Sequence, residues 1–250
     1  MNTDGYQALS NRDVSLIGHA LSMNELFSSW PLEARTPLIR VARLGRYPRK
    51  ADVLAHDRAA RELLVVVSGC LEIGGTSPDG RKYLHALMRP SSVSPLTRLL
   101  EDVPQPLDYS AHVDSVILHL PVPAVLEQLG LHPELWRGVA YLALQRQRYS
   151  VAYLSRLLLG TLEQRLAVML VKLAQLYGQE GPEGVDLEIR LSQQDLAALL
   201  GVSRQTMNRA LRTFIDLGLL RAMYNRITVL DMLRLQTIAD GDPARQSLLD

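Results

Sequence analysis

The chain has 250 residues, of which 47% are hydrophobic and 21% charged, and its formal net charge is +1. These values are typical of a globular protein, and the length allows two domains that each have a core. A net charge so close to zero excludes an overall electrostatic attraction for nucleic acid, so any DNA binding requires a local basic patch.

Cysteine content and apolar runs exclude further classes. The single cysteine, Cys70, rules out an internal disulfide framework and an all-cysteine iron–sulfur or zinc site within one chain. No run of about 18 apolar residues is present, so no membrane span is predicted. The first 15 residues lack a basic stretch followed by an apolar one. We therefore expect no signal peptide and a cytoplasmic protein.

The first half of the chain is predicted to be rich in short strands. Residues 24–30 resemble a short helix, and Pro31 and Pro37 mark an irregular connection after it. Apolar runs bounded by turn-forming residues then predict six strands, at residues 41–44, 63–67, 71–73, 83–88, 110–113 and 116–120. The β-branched run 65–67 disfavours a helix there. Many short strands with frequent turns indicate an antiparallel β-sandwich or barrel.

A long helix is predicted over residues 133–160, which contain no internal proline after Pro133. Residues spaced alternately by four and three form a heptad seam: Ala140, Leu144, Gln147, Val151, Leu154 and Leu158. The seam, which is flanked by Gln145, Arg146 and Arg148, favours a two-stranded dimer. The alternative is a helix that packs one face on its own β-domain. Gly160 and Thr161 predict a hinge and a cap before a helix at 162–177.

The next stretch predicts two short helices joined by a tight turn. After a loop at 178–184 and a strand at 185–191, Ser192 can cap a helix whose buried face carries Leu196, Leu199 and Leu200. Gly201 can adopt the left-handed conformation that ends this helix, and Val202 can fill the angle between the helices. Ser203 caps the second helix, whose inward residues are Met207, Leu211 and either Phe214 or Ile215.

The outward face of the second helix is basic. It carries Arg204, Gln205, Asn208, Arg209 and Arg212, and residues 196–215 include three arginines and no acid. A merely solvated helical hairpin usually mixes both charge signs, so this face favours a reader of the DNA major groove. Residues 219–221 and 226–230 predict a β-hairpin wing with Tyr224 and Asn225 at its turn. A helix at 232–239 and a polar tail follow, with no assigned role.

The residues around this second helix resemble the winged helix–turn–helix of the Crp/Fnr family of bacterial transcription regulators. The family pattern G-x-S-R-E/Q-T-V/M-x-R is matched by Gly201, Ser203, Arg204, Gln205, Thr206, Met207 and Arg209. The resemblance implies that Arg204 and Arg209 approach base edges or the nearby backbone, while Gln205 replaces a common glutamate. The DNA-contacting residues it implies are Ser192, Gln193, Ser203, Arg204, Gln205, Thr206, Asn208, Arg209 and Arg212, with the Ser, Thr and Gln193 side chains on phosphates.

The order of strands, long helix and winged module also resembles this family, and residues 63–87 resemble a strand pair and hairpin of its β-roll. The resemblance implies an α+β fold with four parts: an antiparallel, jelly-roll-like β-roll sensor domain at 20–132, a dimerisation helix at 133–160, a winged helix–turn–helix at 161–235 and a tail at 236–250. It also implies a homodimer that binds palindromic double-stranded DNA, with RNA polymerase as a further partner.

The family's cyclic-nucleotide signature is not matched. Nucleotide-binding members carry F-G-E-L/I-x-L and, some ten residues on, R-S/T-A. Here Ser94 stands at the glycine, Pro95 at the glutamate and Tyr109 at the arginine. Proline offers no side-chain acceptor and tyrosine no positive charge, so we expect no cyclic AMP binding in the family manner. A different effector would be held by Ser94, Thr97, Arg98, Tyr109, Ser110 and Ser150, although we favour an exposed position on a helix face for Arg98.

The sequence gives weaker indications of a haem site, a reactive thiol or an enzymatic site. Haem-sensing relatives use a β-roll histidine, and His56, His85, His112 and His119 lie in that region, but a lone strand histidine is more often structural. Cys70 is expected to be a buried, inert thiol. No P-loop, dinucleotide fingerprint, zinc-protease motif or nucleophile elbow is present, so we expect no enzyme and no bound cofactor or metal. A protein-interaction module with a vestigial DNA domain remains the alternative.

Overall fold

The structure is a computed structural model that describes residues 10–54, 61–77, 80, 82–101, 107–223 and 226–241, without the side chains of residues 156 and 157. The chain divides into two compact units, residues 1–75 with 85–147 and residues 76–84 with 148–250. No helix in the described ranges is both long enough and apolar enough to span a bilayer.

The first unit begins with two helices, α1 (Asn11–Ser22) and α2 (Leu32–Val41), separated by a 3-10 turn at Phe27–Ser29. Eight strands follow: β1 (Arg43–Tyr47), β2 (Asp52–Leu54), β3 (Glu62–Ser68), β4 (Leu71–Thr76), β5 (Lys82–Met88), β6 (Val93–Ser94), β7 (Asp108–Ala111) and β8 (Ser115–Pro121). Residue 76 of β4 and residues 82–84 of β5 are grouped with the second unit. They form two four-stranded sheets with the orders β1-β8-β3-β6 and β2-β7-β4-β5. A 3-10 turn at Leu96–Leu99 follows β6.

Strand β3 shows how this unit builds two cores. Leu63 and Val65 pack with the N-terminal helices, whereas Leu64 and Val66 pack with β4 and β7 residues inside the roll. Successive side chains of a strand point to opposite faces, so a strand buried on both faces must be apolar at every position. The continuous run Leu63–Val66 predicted a strand, which the structure confirms, and the structure shows in addition that both faces of this strand are buried.

Both N-terminal helices differ from the prediction. Helix α1 was not predicted, and residues 24–30 form only a 3-10 turn in place of a helix. The segment that was expected to be irregular is α2, which contains Pro37 and runs to Val41 before β1 starts at Arg43. Proline costs a helix one hydrogen bond, but α2 buries Ala34 and Leu38 completely, and this packing favours the helix. Strands β2 and β6 were missed because two or three residues are too short to show a pattern.

The first unit ends with α3 (Val122–Leu131), a 3-10 turn at Pro133–Leu135 and α4 (Trp136–Leu159), which continues into the second unit. Leu135, Val139 and Leu142 belong to the core formed with the N-terminal helices and the outer face of β3. One face of α4 is therefore buried against its own β-roll unit, as the alternative interpretation of the sequence expected.

The second unit continues with α5 (Leu162–Tyr177), β9 (Gly178–Gly181), β10 (Gly184–Leu187), α6 (Gln193–Leu200), α7 (Arg204–Asp216), β11 (Leu220–Met223), β12 (Arg226–Val229) and α8 (Met232–Asp240). Its sheet has the order β11-β12-β10-β9, and α8 packs on α5. The predicted loop at 178–184 is wrong, because β9 pairs with β10 from Gly178 to Leu187, and the predicted strand ends at Leu187 rather than Leu191. Glycines that usually mark loops are here part of a tight hairpin.

Candidate nucleic-acid interface

Helix α6 begins with a reciprocal cap. The hydroxyl of Ser192 accepts a hydrogen bond from the Asp195 backbone N–H at 3.1 Å, and the Asp195 carboxylate accepts one from the Ser192 N–H at 2.9 Å. Two otherwise unsatisfied N–H groups of the first turn are thereby paired. Leu196 and Leu200 are buried as predicted, but Leu199 is only half-buried and Ala197 and Ala198 complete the inward face.

The turn between the helices has the predicted conformation. Gly201 adopts φ 64° and ψ 33°, a left-handed conformation that a side chain would strain. The N–H of Val202 then donates to the Ala197 carbonyl at 3.0 Å, and its side chain is half-buried between the helices. This local geometry sets the angle at which α7 leaves the turn.

Helix α7 begins at its predicted cap. The Thr206 backbone N–H donates to the Ser203 hydroxyl at 3.1 Å, and the Ser203 and Thr206 hydroxyls lie 2.8 Å apart. Met207, Leu211 and Phe214 are buried, whereas Ile215 is exposed, which decides between the two predicted inward residues. The core therefore holds one face of α7 and leaves the opposite face to solvent.

The exposed face of α7 is the basic one. Arg204, Gln205, Arg209 and Arg212 are all exposed. Asn208 is half-buried, and its side-chain N–H donates to the Gln193 side-chain oxygen at 2.9 Å. The structure thus brings together two predicted DNA contacts from different helices, a pairing that no spacing rule in the sequence could show. Three guanidinium groups on one face without an acid between 196 and 215 give a local positive patch.

The wing follows α7 as predicted. Strands β11 and β12 pair from Leu220 with Val229 to Met223 with Arg226. Arg221 forms an ion pair with Glu183, and Arg226 is exposed. The predicted turn residues, Tyr224 and Asn225, lie outside the described residues.

The structure pairs two of the six residues of the predicted effector site. The Ser94 and Tyr109 hydroxyls lie 3.0 Å apart and both side chains are buried. Ser110 follows Tyr109 on β7, so its side chain points to the opposite face of that strand. Thr97 is exposed on the 3-10 turn after β6, and Ser150 is exposed on α4.

Arg98 corrects one expectation. It was expected on an exposed helix face, but it is 1% exposed on the 3-10 turn Leu96–Leu99. Burial raises the pKa of the Tyr109 phenol, and this effect outweighs the hydrogen bond to Ser94 and the charges of Arg146 and Arg98, which act to lower that pKa. A buried arginine and a buried tyrosine therefore occupy the interior that the resemblance assigns to an effector.

The β-roll histidines are engaged in hydrogen bonds. His119 Nδ1 lies 2.8 Å from the Glu62 carboxylate and its Nε2 lies 2.7 Å from the Tyr47 hydroxyl. His112 Nδ1 lies 2.6 Å from the Glu72 carboxylate. His85 is exposed, and His56 lies outside the described residues. Haem ligation by His119 would break one of its two hydrogen bonds. The hydrogen bonds of His119 and His112 explain why both histidines can be buried. Cys70 is buried, as expected for an inert thiol.

The predicted seam of α4 is exposed in the single chain. Leu144 is 63%, Val151 59%, Leu154 53% and Leu158 73% exposed, and Ala140 and Gln147 are exposed as well. Arg146, expected to flank this seam, instead pairs with Glu25 at 2.6 Å and donates to the Val93 carbonyl at 2.6 Å. Helix α4 therefore has one face buried in its own unit and a separate apolar face that no described residue covers.

Known proteins share this organisation. Residues 164–238 match the family described as Crp-like helix-turn-helix domain. Over 189 residues the chain is 26% identical to the CRP-like cAMP-activated global transcriptional regulator of Mycobacterium tuberculosis, covering 76% of this chain and 84% of that protein. Over 231 residues it is 22% identical to the transcriptional activator protein FnrA of Stutzerimonas stutzeri, covering 92% of each.

Solved structures agree on the fold. FixK2 from Bradyrhizobium japonicum superposes with a TM-score of 0.69 at 20% identity, over 79% of this chain and 96% of that one. The c-di-GMP responsive global regulator CLP of Xanthomonas campestris gives a TM-score of 0.70 at 20% identity, over 80% and 100%. The predicted α+β fold, with a β-roll, a long helix and a winged helix–turn–helix, is confirmed.

Proposed function

From its membership of the Crp/Fnr family of transcription regulators, we propose that this chain is a homodimeric, sequence-specific DNA-binding protein. Each protomer places α7 in the major groove of one half of a palindromic site. The observation that carries the proposal is the α7 surface itself: Arg204, Gln205 and Arg209 are exposed on a Ser-capped helix, and no acid lies between them.

These side chains suit base recognition. Arginine can donate two hydrogen bonds to guanine O6 and N7, and glutamine can pair with adenine N6 and N7. We therefore assign Arg204 and Arg209 to guanines or the adjacent backbone, and Gln205 to an adenine. Since glutamate would accept from a cytosine amine instead, the half-site departs from the TGTGA-like sequence best known in the family.

Phosphate contacts would fix the position of α7 in the groove. We assign this role to Ser192, Gln193, Ser203 and Thr206, with Arg212 further along the helix. The hydrogen bond from Asn208 to Gln193 orients both side-chain amides, which leaves the Gln193 N–H groups as donors for a phosphate oxygen. Such contacts give affinity and orientation without reading sequence.

A second copy of this chain is the proposed partner of the α4 seam. The seam has heptad spacing, and its leucines and valine are more than half exposed in one chain. Two-fold symmetry would place two α7 helices about one turn of DNA apart, which is what a palindromic operator requires. The domain limits proposed are a β-roll at 20–132, a dimerisation helix at 133–160 and the DNA module at 161–235.

Cyclic AMP in the family manner is not part of the proposal, because Ser94, Pro95 and Tyr109 replace the residues that would hold it. The β-roll either takes a different small effector or acts as a scaffold, and any effector would act by reorienting the two α7 helices across the Gly160 hinge. We further propose a cytoplasmic location, no enzymatic activity, and contact with RNA polymerase if the protein activates transcription.

The test is selection of bound sequences from a random DNA pool, run alone, with cyclic AMP, and with small molecules from a cell extract. A palindrome enriched without additive supports a dimer that is competent by itself. A palindrome enriched only with extract supports an effector in the β-roll. No enrichment under any condition contradicts DNA recognition and favours a protein-interaction module with a vestigial DNA domain.

A further inference from the structure

We propose that Tyr153 on α4 and Arg165 on α5 are positioning residues, which hold the helix–turn–helix at a defined angle to α4 and thereby set the half-site spacing that the dimer accepts. The inference rests on the proposed function, because spacing has meaning only for a dimer with two recognition helices. It concerns residues outside the helix–turn–helix and away from the DNA-reading face.

The evidence lies at the carboxyl end of α6. The last carbonyl groups of a helix have no partner within it. The Ala197 carbonyl accepts from the N–H groups of Gly201 and Val202, as expected at a glycine-ended helix. The Tyr153 hydroxyl donates to the Leu199 carbonyl at 2.7 Å, and an Arg165 guanidinium N–H donates to the Leu200 carbonyl. Two adjacent carbonyls are thus satisfied by side chains from two other helices.

The location of these bonds makes them suited to orienting α7. Leu199 and Leu200 lie directly before the Gly201 turn, and α7 begins at Arg204, three residues after Gly201. The donors come from helices on either side of the Gly160 hinge. A rotation of the helix–turn–helix relative to α4 and α5 would lengthen at least one of the two hydrogen bonds. Together the two bonds therefore define one orientation.

Tyr153 is chemically suited to this role. A phenol has an ordinary pKa of about 10, so the Tyr153 hydroxyl is protonated and can donate at neutral pH. A hydrogen bond restrains both distance and angle, whereas an apolar contact restrains neither sharply. Tyr153 also precedes Leu154 of the proposed dimer seam, so it connects the helix at the proposed two-fold axis to the DNA module.

The contact is compatible with DNA binding. Arg204, Gln205 and Arg209 are exposed while Tyr153 holds Leu199, so the bond does not mask the reading face. Removing it should leave recognition of one half-site intact and weaken simultaneous recognition of two. A single hydrogen bond of ordinary strength predicts a loss of about threefold to tenfold on the paired site.

The experiment compares Tyr153→Phe with the parent, as full-length protein, on duplexes built from the selected palindrome. One duplex keeps a single half-site with the other scrambled, and others lengthen or shorten the spacer by one or two base pairs. Tyr149→Phe is the matched control, because it removes a hydroxyl one turn earlier on α4. In the parent the Tyr149 ring lies 5.7 Å from Lys172 Nζ, and the variant keeps this ring. Arg165→Gln is a second variant in case Tyr153→Phe does not fold.

We expect Tyr153→Phe and Arg165→Gln to bind the single half-site like the parent, to lose about threefold to tenfold on the optimal palindrome, and to discriminate less between spacers. Tyr149→Phe should match the parent throughout. An unchanged spacer profile in both variants, tighter binding to the palindrome, or an equal loss on the single half-site would overturn the positioning role. A parent protein that binds none of the duplexes would instead overturn the proposed function.

Discussion

The phenol hydroxyl of Tyr109 and the hydroxyl of Ser94 lie 3.0 Å apart inside the β-roll. By the resemblance, Ser94 stands where nucleotide-binding members have glycine and Tyr109 where they have arginine. Two of the three residues that depart from the phosphate-binding pattern therefore hydrogen-bond to each other. Each residue supplies the hydrogen-bond partner that the other's buried hydroxyl requires. The two departures from the family pattern therefore depend on each other structurally.

Removing one of these hydroxyls should destabilise the protein more than removing both. Tyr109→Phe or Ser94→Ala alone leaves a buried hydroxyl without its partner, at a cost of about 1–3 kcal/mol. The double variant removes both groups and should unfold at a urea concentration closer to that of the parent. Urea titration followed by circular dichroism measures all four proteins. Additive losses in the double variant would show that the two hydroxyls do not interact.

Alkaline pH should destabilise the parent more than Tyr109→Phe. Burial raises the pKa of the Tyr109 phenol above its ordinary value of about 10, so the folded state holds this proton more tightly than the unfolded state. That contribution is complete below about pH 10 and is lost as the pH rises through the folded-state pKa. Urea midpoints compared from about pH 8 to about pH 11 should converge for the two proteins. A difference between the two urea midpoints that stays constant over this pH range would contradict the raised pKa of Tyr109.

Arg204→Ala should lose discrimination at one base position of the half-site, by about 1–3 kcal/mol. The reason is the loss of two hydrogen bonds to one base. Competition between the selected site and its single-base variants measures the effect. Arg137→Ala, which removes an exposed arginine from α4, is the control and should bind like the parent. Equal discrimination by Arg204→Ala and the parent would remove Arg204 from the reading set.

Gln205→Glu should change which base is preferred without abolishing binding. A carboxylate accepts hydrogen bonds only, so it should favour the cytosine amine over adenine, which presents both a donor and an acceptor. Repeating the selection with this variant should move one position of the motif from adenine towards cytosine. An unchanged motif would mean that Gln205 does not contact a base.

Leu154→Glu should dissociate the proposed dimer. Leu154 is an exposed seam residue, and two-fold symmetry would place two introduced carboxylates close together in an apolar contact. Sedimentation velocity should show a monomer, and affinity for the palindrome should fall towards that for a half-site. Ala152→Glu adds the same charge at an exposed position outside the seam and should remain dimeric. A dimeric Leu154→Glu protein would place the interface elsewhere.

The sequence by itself determined the parts of this protein whose interactions are local. Ser192, Gly201 and Ser203 identified the helix–turn–helix, because capping and the left-handed turn involve residues at most five apart. The apolar, β-branched run of β3 predicted a strand in the same way, whereas burial on both of its faces is known only from the structure. The motif around Arg204 and Gln205 identified the family, and the structure left those side chains exposed as expected.

Only the tertiary structure decided the remainder. Whether Pro37 lies inside a helix depended on how much apolar surface α2 could bury against the β-roll unit. Arg98 is buried, and Asn208 is bonded to Gln193, because residues distant in the chain surround them. The Tyr153–Leu199 bond joins residues 46 positions apart. Such contacts depend on how whole elements pack, and neither periodicity nor spacing carries that information.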